Sequence, residues 1–404
     1  MPKTHPMSHT PSSDPTMPLA TETLLVTSGR DTAAQKGFVN PPVVHGSTVL
    51  YPSAEDLIAH RAEYQYGRHG TPTTKALQQA LQALEGPACA GIALAPSGVS
   101  AISAALLAVL KAGDHLLVCD SVYRPTRALC DDLLKRLGIE TTYFDPQLGA
   151  DVARLFRSNS RAVFLETPGS QSIDMSDTPA IAAAAPRRGL WVINDNTWAT
   201  PLYFRSLDKG VDITVQSATK YIGGHSDIMF GTIAANARAW PHLAATVRLL
   251  GLCAGPDDVF LALRGLRTLA VRLAHHQDAG IAMARWLADR PEVLRVMHPA
   301  LPEDPGHTLW KRDFTGASGL FSVVLNPVPQ AAVNAFLNSL RLFGMGFSWG
   351  GFESLVIPFD CTSYRTATRW NPGGPALRFH IGLENLDDLK ADLAQGFAAL
   401  ARTR

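Results

Sequence analysis

Lys220 stands in the run VQSATKYIGGHSDIMFG, residues 215–231, at the end of an apolar stretch and just before a glycine pair. Upstream, a second apolar run, LWVINDN, ends on a carboxylate, Asp195. A primary amine with small hydroxyl neighbours (Ser217 and Thr219), matched with an aspartate at a strand end, suits pyridoxal 5′-phosphate (PLP). The amine would carry the cofactor's aldehyde, and the carboxylate would keep the pyridine nitrogen protonated so that the ring withdraws electrons. Taken singly, each residue has a plainer reading, as a solvated lysine at a turn and a turn-forming aspartate. Their surroundings decide between the two.

A phosphate calls for backbone N–H groups at the positive end of a helix. Pro96-Ser97-Gly98-Val99-Ser100 follows the apolar run GIALA and opens VSAISAALLAVL, with Ser97 placed as N-cap. The amides at that helix start have no partner within the helix and could face an anion. By itself the segment reads equally as an ordinary capped helix. Gly223 and Gly224 lack a GxGxxG pattern and read as a backbone turn beside the lysine. In EYQYGRHGTPT, Tyr66 and Arg68 lie two residues apart, on one side of an extended segment. The guanidinium fork suits phosphate; the alternative is a surface loop with aromatics.

Short apolar runs (GIALAP, HLLVCD, TTYFD, AVFLET, LWVIND, ITVQS and IMFGTIAA) recur from about residue 73 to 240, and helical patterns separate the first five. This alternation predicts an α/β domain: a mostly parallel sheet with helices on both faces. Ligands of such sheets bind at the carboxyl ends of the strands, where Asp195 and Lys220 fall. The pattern over 256–290 predicts one long connector helix. Beyond it a smaller α+β unit is expected, with strands near 293–298, 319–325 and 377–383 and helices near 329–343 and 386–402. The resulting division is a tail (1–22), a loop-rich inter-subunit arm (23–72), a cofactor-binding α/β domain (73–268) and a C-terminal α+β domain (269–404).

The chain of 404 residues is 46% apolar, enough for more than one core, and its formal charge of +1 gives no electrostatic reason for a nucleic acid or acidic lipid partner. Five scattered cysteines without CxxC spacing argue against a disulfide framework or structural zinc and for a reducing compartment, here the cytoplasm. The N-terminal MPKTHPMSHTPSSDPTMPLA has no apolar core and reads as a disordered tail, with Met17 as an alternative start. The most apolar stretch, 92–109, is broken by Pro96 and Gly98 and parses as strand plus helix, not as a membrane span. His275 and His276 are adjacent on a helix and point apart, so no metal is assigned.

YQYGRHGTPT, SGVSAI, INDNTWATP and SATKYIGGHSD, in this order and spacing, resemble the motifs of the PLP-dependent Cys/Met-metabolism (trans-sulfuration) family. That family is a branch of the aspartate-aminotransferase-like fold type I enzymes, and the resemblance runs from about residue 23 to the C-terminus. It implies that Lys220 carries PLP and Asp195 holds the ring nitrogen. Gly98, Val99, Ser217 and Thr219 would bind the phosphate, Tyr123 would stack on the ring, and Tyr66 and Arg68 would reach a neighbouring subunit's cofactor. Arg378 in ALRFHIGLEN would clamp the substrate carboxylate. A cytoplasmic homotetramer built from dimers with shared active sites is implied as well.

Within the family, FSWGGFESL (347–355) is similar to the β-lyase branch, where a Ser-Trp pair (Ser348 and Trp349) stands beside the carboxylate-binding arginine. ETPGSQSIDMSD (166–177) and GHSDIMFG lean the same way. The implied reaction is β-elimination of L-cystathionine, or of a related cysteine S-conjugate, in methionine biosynthesis. Alternatives are a γ-acting relative and, more remotely, a PLP-binding regulatory protein without turnover. Val99 and Ser100 depart from a common Met-Ala pair, and His69 stands where a second basic residue is frequent.

Overall fold

The computed structural model describes residues 19–185 and 189–403. Most of the expected tail, Met17 included, and Pro186–Arg188 lie outside the described residues. Thr21 and Glu22, assigned to that tail, belong to a short helix, Thr21–Thr27, whose Leu25 is buried in one core with Ala76 and Leu77.

Seven strands build the larger sheet: β1 (Gly91–Ala95), β2 (His115–Cys119), β3 (Glu140–Phe144), β4 (Ser160–Glu166), β5 (Trp191–Asp195), β6 (Ile213–Ser217) and β7 (Gly231–Ala235). Their order is β1-β7-β6-β5-β4-β2-β3. Strands β3, β2, β4, β5 and β6 run parallel, whereas β7 is antiparallel to both of its neighbours. All seven are the apolar runs picked out above. β1, β2 and β7 are buried along their whole length, which is why they read as unbroken apolar stretches rather than alternating ones. Each fully buried Leu, Ile, Val or Phe stabilises this layer by about 1.5–3 kcal/mol relative to exposure.

The expected single helix over 256–290 is two helices, Pro256–Arg267 and Leu269–Ala288. Thr268 separates them with non-helical backbone (φ −108°, ψ 8°), and its hydroxyl turns back to the carbonyl of Gly265 at 3.2 Å. A threonine that bonds the preceding turn competes with the helix ladder, and helical periodicity does not register that competition.

The second sheet holds four strands, β8 (Val293–Met297), β9 (Leu320–Leu325), β10 (Leu355–Phe359) and β11 (Ala376–His380), all antiparallel, in the order β10-β11-β9-β8. Sequence reading expected three of them; β10 was not foreseen. It contains Pro358, which argues against a central strand, but β10 lies at the sheet edge.

Candidate active site

Strands β5 and β6 are parallel neighbours, so their carboxyl ends deliver Asp195 and the Ser217–Lys220 turn to one edge of the sheet. The Asp195 carboxylate is buried. Its Oδ1 accepts from the Thr197 amide (3.0 Å) and hydroxyl (2.5 Å), and Oδ2 has no hydrogen-bond partner among the described residues. Burial pushes this carboxyl up to about 6 although the Thr197 bonds work the other way. Lys220 has no acidic ion-pair partner among the described residues. Its Nζ donates to Ser348 Oγ at 2.7 Å and lies 5.5 Å from the centre of the Trp349 ring. Burial, and secondly the Arg378 cation, pull its pKa down to about 8.

The smaller sheet supplies the opposite wall. Arg378 is buried in the middle of β11, and its one hydrogen bond is a long one, 3.4 Å from Nη2 to the Ser348 carbonyl. Burial pulls the guanidinium down to about 10. A buried charge without a counter-ion is costly by several kcal/mol, and a carboxylate ligand is the direct remedy. The Ser348–Trp349 segment reaches Lys220 because Gly350 follows it: a Cβ there would stand 2.9 Å from the Lys220 carbonyl carbon, at a φ of +84°.

Tyr123 caps the helix that follows β2. Burial raises its phenol, as do Glu166 and Asp195, while Arg378 opposes them, so the ring lies close to all three groups. Its backbone N–H donates to Glu166 Oε2 at 2.6 Å. Glu166 went unassigned at the sequence level, although it stands level with Asp195 across β4 and β5. Burial and the Asp195 charge hold its carboxyl well above the usual range. The available signal was positional: both residues close adjacent apolar strands. Next to this turn, buried Asp120 accepts from the amides of Thr366 (3.1 Å), Ala367 (3.1 Å) and Thr368 (2.8 Å) and pairs with Arg127. Arg365 pairs with Asp174 and the Tyr364 hydroxyl donates to Gln171 at 2.7 Å, so several bonds fasten the strap 361–370.

At the opening of the helix Gly98–Leu107, Ser97 accepts from the Ser100 amide at 3.1 Å, as an N-cap does. A Cβ on Gly98 would stand 2.8 Å from Ser217 Oγ, so the absence of one lets the Gly98 backbone lie close to Ser217. The Val99 side chain is partly exposed. Thr219 differs from Ser217: its hydroxyl both donates to the Phe230 carbonyl (3.1 Å) and accepts from the Phe230 amide (2.9 Å). An anion would compete with those bonds.

Tyr66 and Arg68 make no hydrogen bond to Lys220, Asp195 or Ser217 within the chain. Arg68 donates to the Arg248 carbonyl at 3.2 Å, and with His69 it lines a cavity of about 350 Å³ beside Trp240 and Cys253. Four cysteines are buried, and Cys253 is exposed.

The residues present fit PLP on structural grounds. An open carboxylate oxygen on Asp195 awaits a protonated nitrogen, a side-chain-free cradle at Gly98 and Ser217 suits a phosphate, and Lys220 offers an amine without an acidic partner. The family profile described as Cys/Met metabolism PLP-dependent enzyme matches residues 22–398. A putative cystathionine beta-lyase of Rhizobium johnstonii is 51% identical over 381 residues, covering 93% of this chain and 96% of the relative. A cystathionine beta-lyase of Escherichia coli K12 is 42% identical over 390 residues, covering 94% and 98%. Among solved structures, a cystathionine gamma synthase from Xanthomonas oryzae pv. oryzae, in complex with aminoacrylate and cysteine, has a TM-score of 0.88 at 33% identity and covers 96% of this chain and 100% of its own. The fold is therefore that of the fold type I PLP enzymes, and the chain belongs to the PLP-dependent enzymes of cysteine and methionine metabolism.

Proposed function

We propose that this chain is a carbon–sulfur lyase that converts L-cystathionine and water to homocysteine, pyruvate and ammonia by β-elimination. The observation that carries the reading is the buried Arg378, without an acidic partner, whose charge reaches Lys220 and, together with Asp195, Tyr123. An amino acid brings the carboxylate that this arginine lacks. The relatives named as β-lyases support the choice of thioether.

Bound here, PLP supplies a protonated pyridine ring that withdraws electrons from Cα. Asp195 Oδ2 would hold that ring nitrogen, and Gly98, Val99 and Ser217 would hold the phosphate, with Thr219 in support. Tyr123 would lie against the ring. Arg378 orients the substrate by its carboxylate, so the Cα–H bond faces Lys220. Lys220 Nζ, lowered to about 8, then takes the Cα proton. Ser348 Oγ fixes that nitrogen at 2.7 Å, with the Trp349 ring 5.5 Å away. The Tyr123 hydroxyl, raised by burial, keeps its proton and can offer it where charge develops. Breaking Cβ–S leaves the electron pair on sulfur, which departs as the thiol.

In this reading the protein is a cytoplasmic homotetramer built from two dimers, with Tyr66 and Arg68 completing a neighbour's site. Support comes from the lack of bonds between those residues and their own Lys220, and from exposed apolar side chains including Leu50, Ile58, Leu249 and Phe347. Among the described residues no helix is long and apolar enough to cross a membrane. A γ-acting enzyme is the second reading, favoured by the likeness to a γ-synthase. Incubating purified protein and PLP with L-cystathionine, and identifying the 2-oxo acid by mass, separates the two. Pyruvate with homocysteine supports β-elimination; 2-oxobutyrate with cysteine overturns it.

A further inference from the structure

We propose that His380, backed by His276, is a positioning residue that holds the Ser348–Trp349–Gly350 segment against Lys220. The inference rests on the reading that Lys220 is the reacting amine. His380 ends β11 two residues after Arg378, and its Nε2 lies 3.1 Å from the Gly350 amide nitrogen. A backbone N–H can only donate, so Nε2 carries the lone pair and the imidazole proton sits on Nδ1. The approach of the Gly351 carbonyl to Nε2, also 3.1 Å, is then a contact between two acceptors. On the helix Leu269–Ala288, His276 Nδ1 lies 2.8 Å from the Ile381 carbonyl, which can only accept. His276 therefore carries its proton on Nδ1 and its lone pair on Nε2.

Two ring nitrogens remain, His380 Nδ1 and His276 Nε2. Both are buried and without a partner, and by the tautomers just assigned one is a donor and the other an acceptor. The two rings pack against each other, with centroids 5.1 Å apart and planes tilted by 43°. Burial, then the neighbouring His276, holds His380 neutral. Tyr221, the residue after Lys220, packs against both rings (5.3 and 6.0 Å) and fixes its own hydroxyl by accepting from the Gly319 amide. The path runs from the connector helix through two imidazoles to Gly350, whose backbone abuts Lys220. Without the His380 acceptor, the Gly350 N–H is left buried and unpaired. The segment then moves, and Ser348 leaves the Lys220 amine.

The test uses His380→Leu, which removes the acceptor, and His380→Gln, whose Oε1 reaches the place of Nε2. Hydrogen–deuterium exchange of the peptide containing Gly350, in cofactor-free protein, reads the contact without any reaction. We expect exchange at least about tenfold faster in His380→Leu and near wild type in His380→Gln. With PLP and cystathionine, His380→Leu should lower kcat about tenfold with little change in KM, and add nothing further to Ser348→Ala. Unchanged exchange in His380→Leu, or kcat losses that multiply with those of Ser348→Ala, overturns the proposal. Should His380→Leu fail to fold, His276→Gln carries the same exchange test, with a smaller increase expected. If cystathionine is not the substrate the turnover arm is silent, and the exchange result still decides.

Discussion

The lysine turn and the tyrosine–arginine arm were both picked out for cofactor chemistry, yet the fold treats them differently. Around Lys220 nearly every polar group has a partner inside the chain: Ser348 on the amine, Phe230 on Thr219, and Thr197 on both Asp195 and the Ser217 amide. Around Arg68 there is one bond to a carbonyl, and Tyr66 is exposed. One half of the candidate site is built largely within its own chain, and the other, on the shared-site proposal, serves a neighbour. On that proposal, substitutions in the first damage the chemistry of their own subunit, while those in the second damage a neighbour's.

The largest effect is expected from Lys220→Ala, which should remove the visible absorption of bound PLP and lower turnover by about 10⁴-fold or more. Retained elimination near the wild-type rate would exclude Lys220 as the reacting amine. Arg378→Ala should lower kcat/KM by roughly 10²–10³-fold, mostly through KM, and Arg378→Lys should recover only part because the two-pronged geometry is lost. Arg68→Ala should lower activity by about 10–100-fold. The sharper experiment mixes Arg68→Ala with Lys220→Ala under exchange conditions. Recovered turnover in the mixture would establish shared sites, and no recovery would assign Arg68 to its own subunit.

A pH measurement probes the finished half alone. Only unprotonated Lys220 attacks an aldehyde, so formation of the visible band in cofactor-free protein should accelerate about tenfold between pH 6 and 7 and level off above its value near 8. A plateau near 10.5 would instead mean that the amine is solvated. The smallest effect is expected at Thr219→Val, about threefold in PLP affinity, because its hydroxyl is already bonded to Phe230. Ser217→Ala should exceed it.

What was legible in the sequence follows from what is local. The buried strands announce themselves as apolar runs, and Lys220 and Asp195 are conspicuous because each closes one. Ser348, Trp349 and Arg378 came only through resemblance, since neither spacing nor periodicity brings residue 348 to residue 220. Glu166, His276 and His380 were missed as site neighbours. Their place depends on strand register and on the meeting of two sheets, and neither is written in any short window of chain. Thr268 and Pro358 misled in a different way, one by breaking a periodic helix and the other by standing in a strand whose edge position tolerates it.

The reversed strand β7 bears on how the protein comes to be folded. β1 emerges from the ribosome first of the seven and pairs with β7 alone, which emerges last. Until then β1 is an apolar ribbon with a bare edge, liable to wrong pairings. When β7 inserts between β1 and β6, it also draws the helix start at Gly98 up to Ser217. The phosphate cradle proposed at Gly98 and Ser217 is thus assembled by the closing event of the sheet, and on that proposal a nascent chain cannot capture its cofactor until the whole layer is made. Long-range closure of this kind is slow, which makes cofactor uptake a reporter of completed folding.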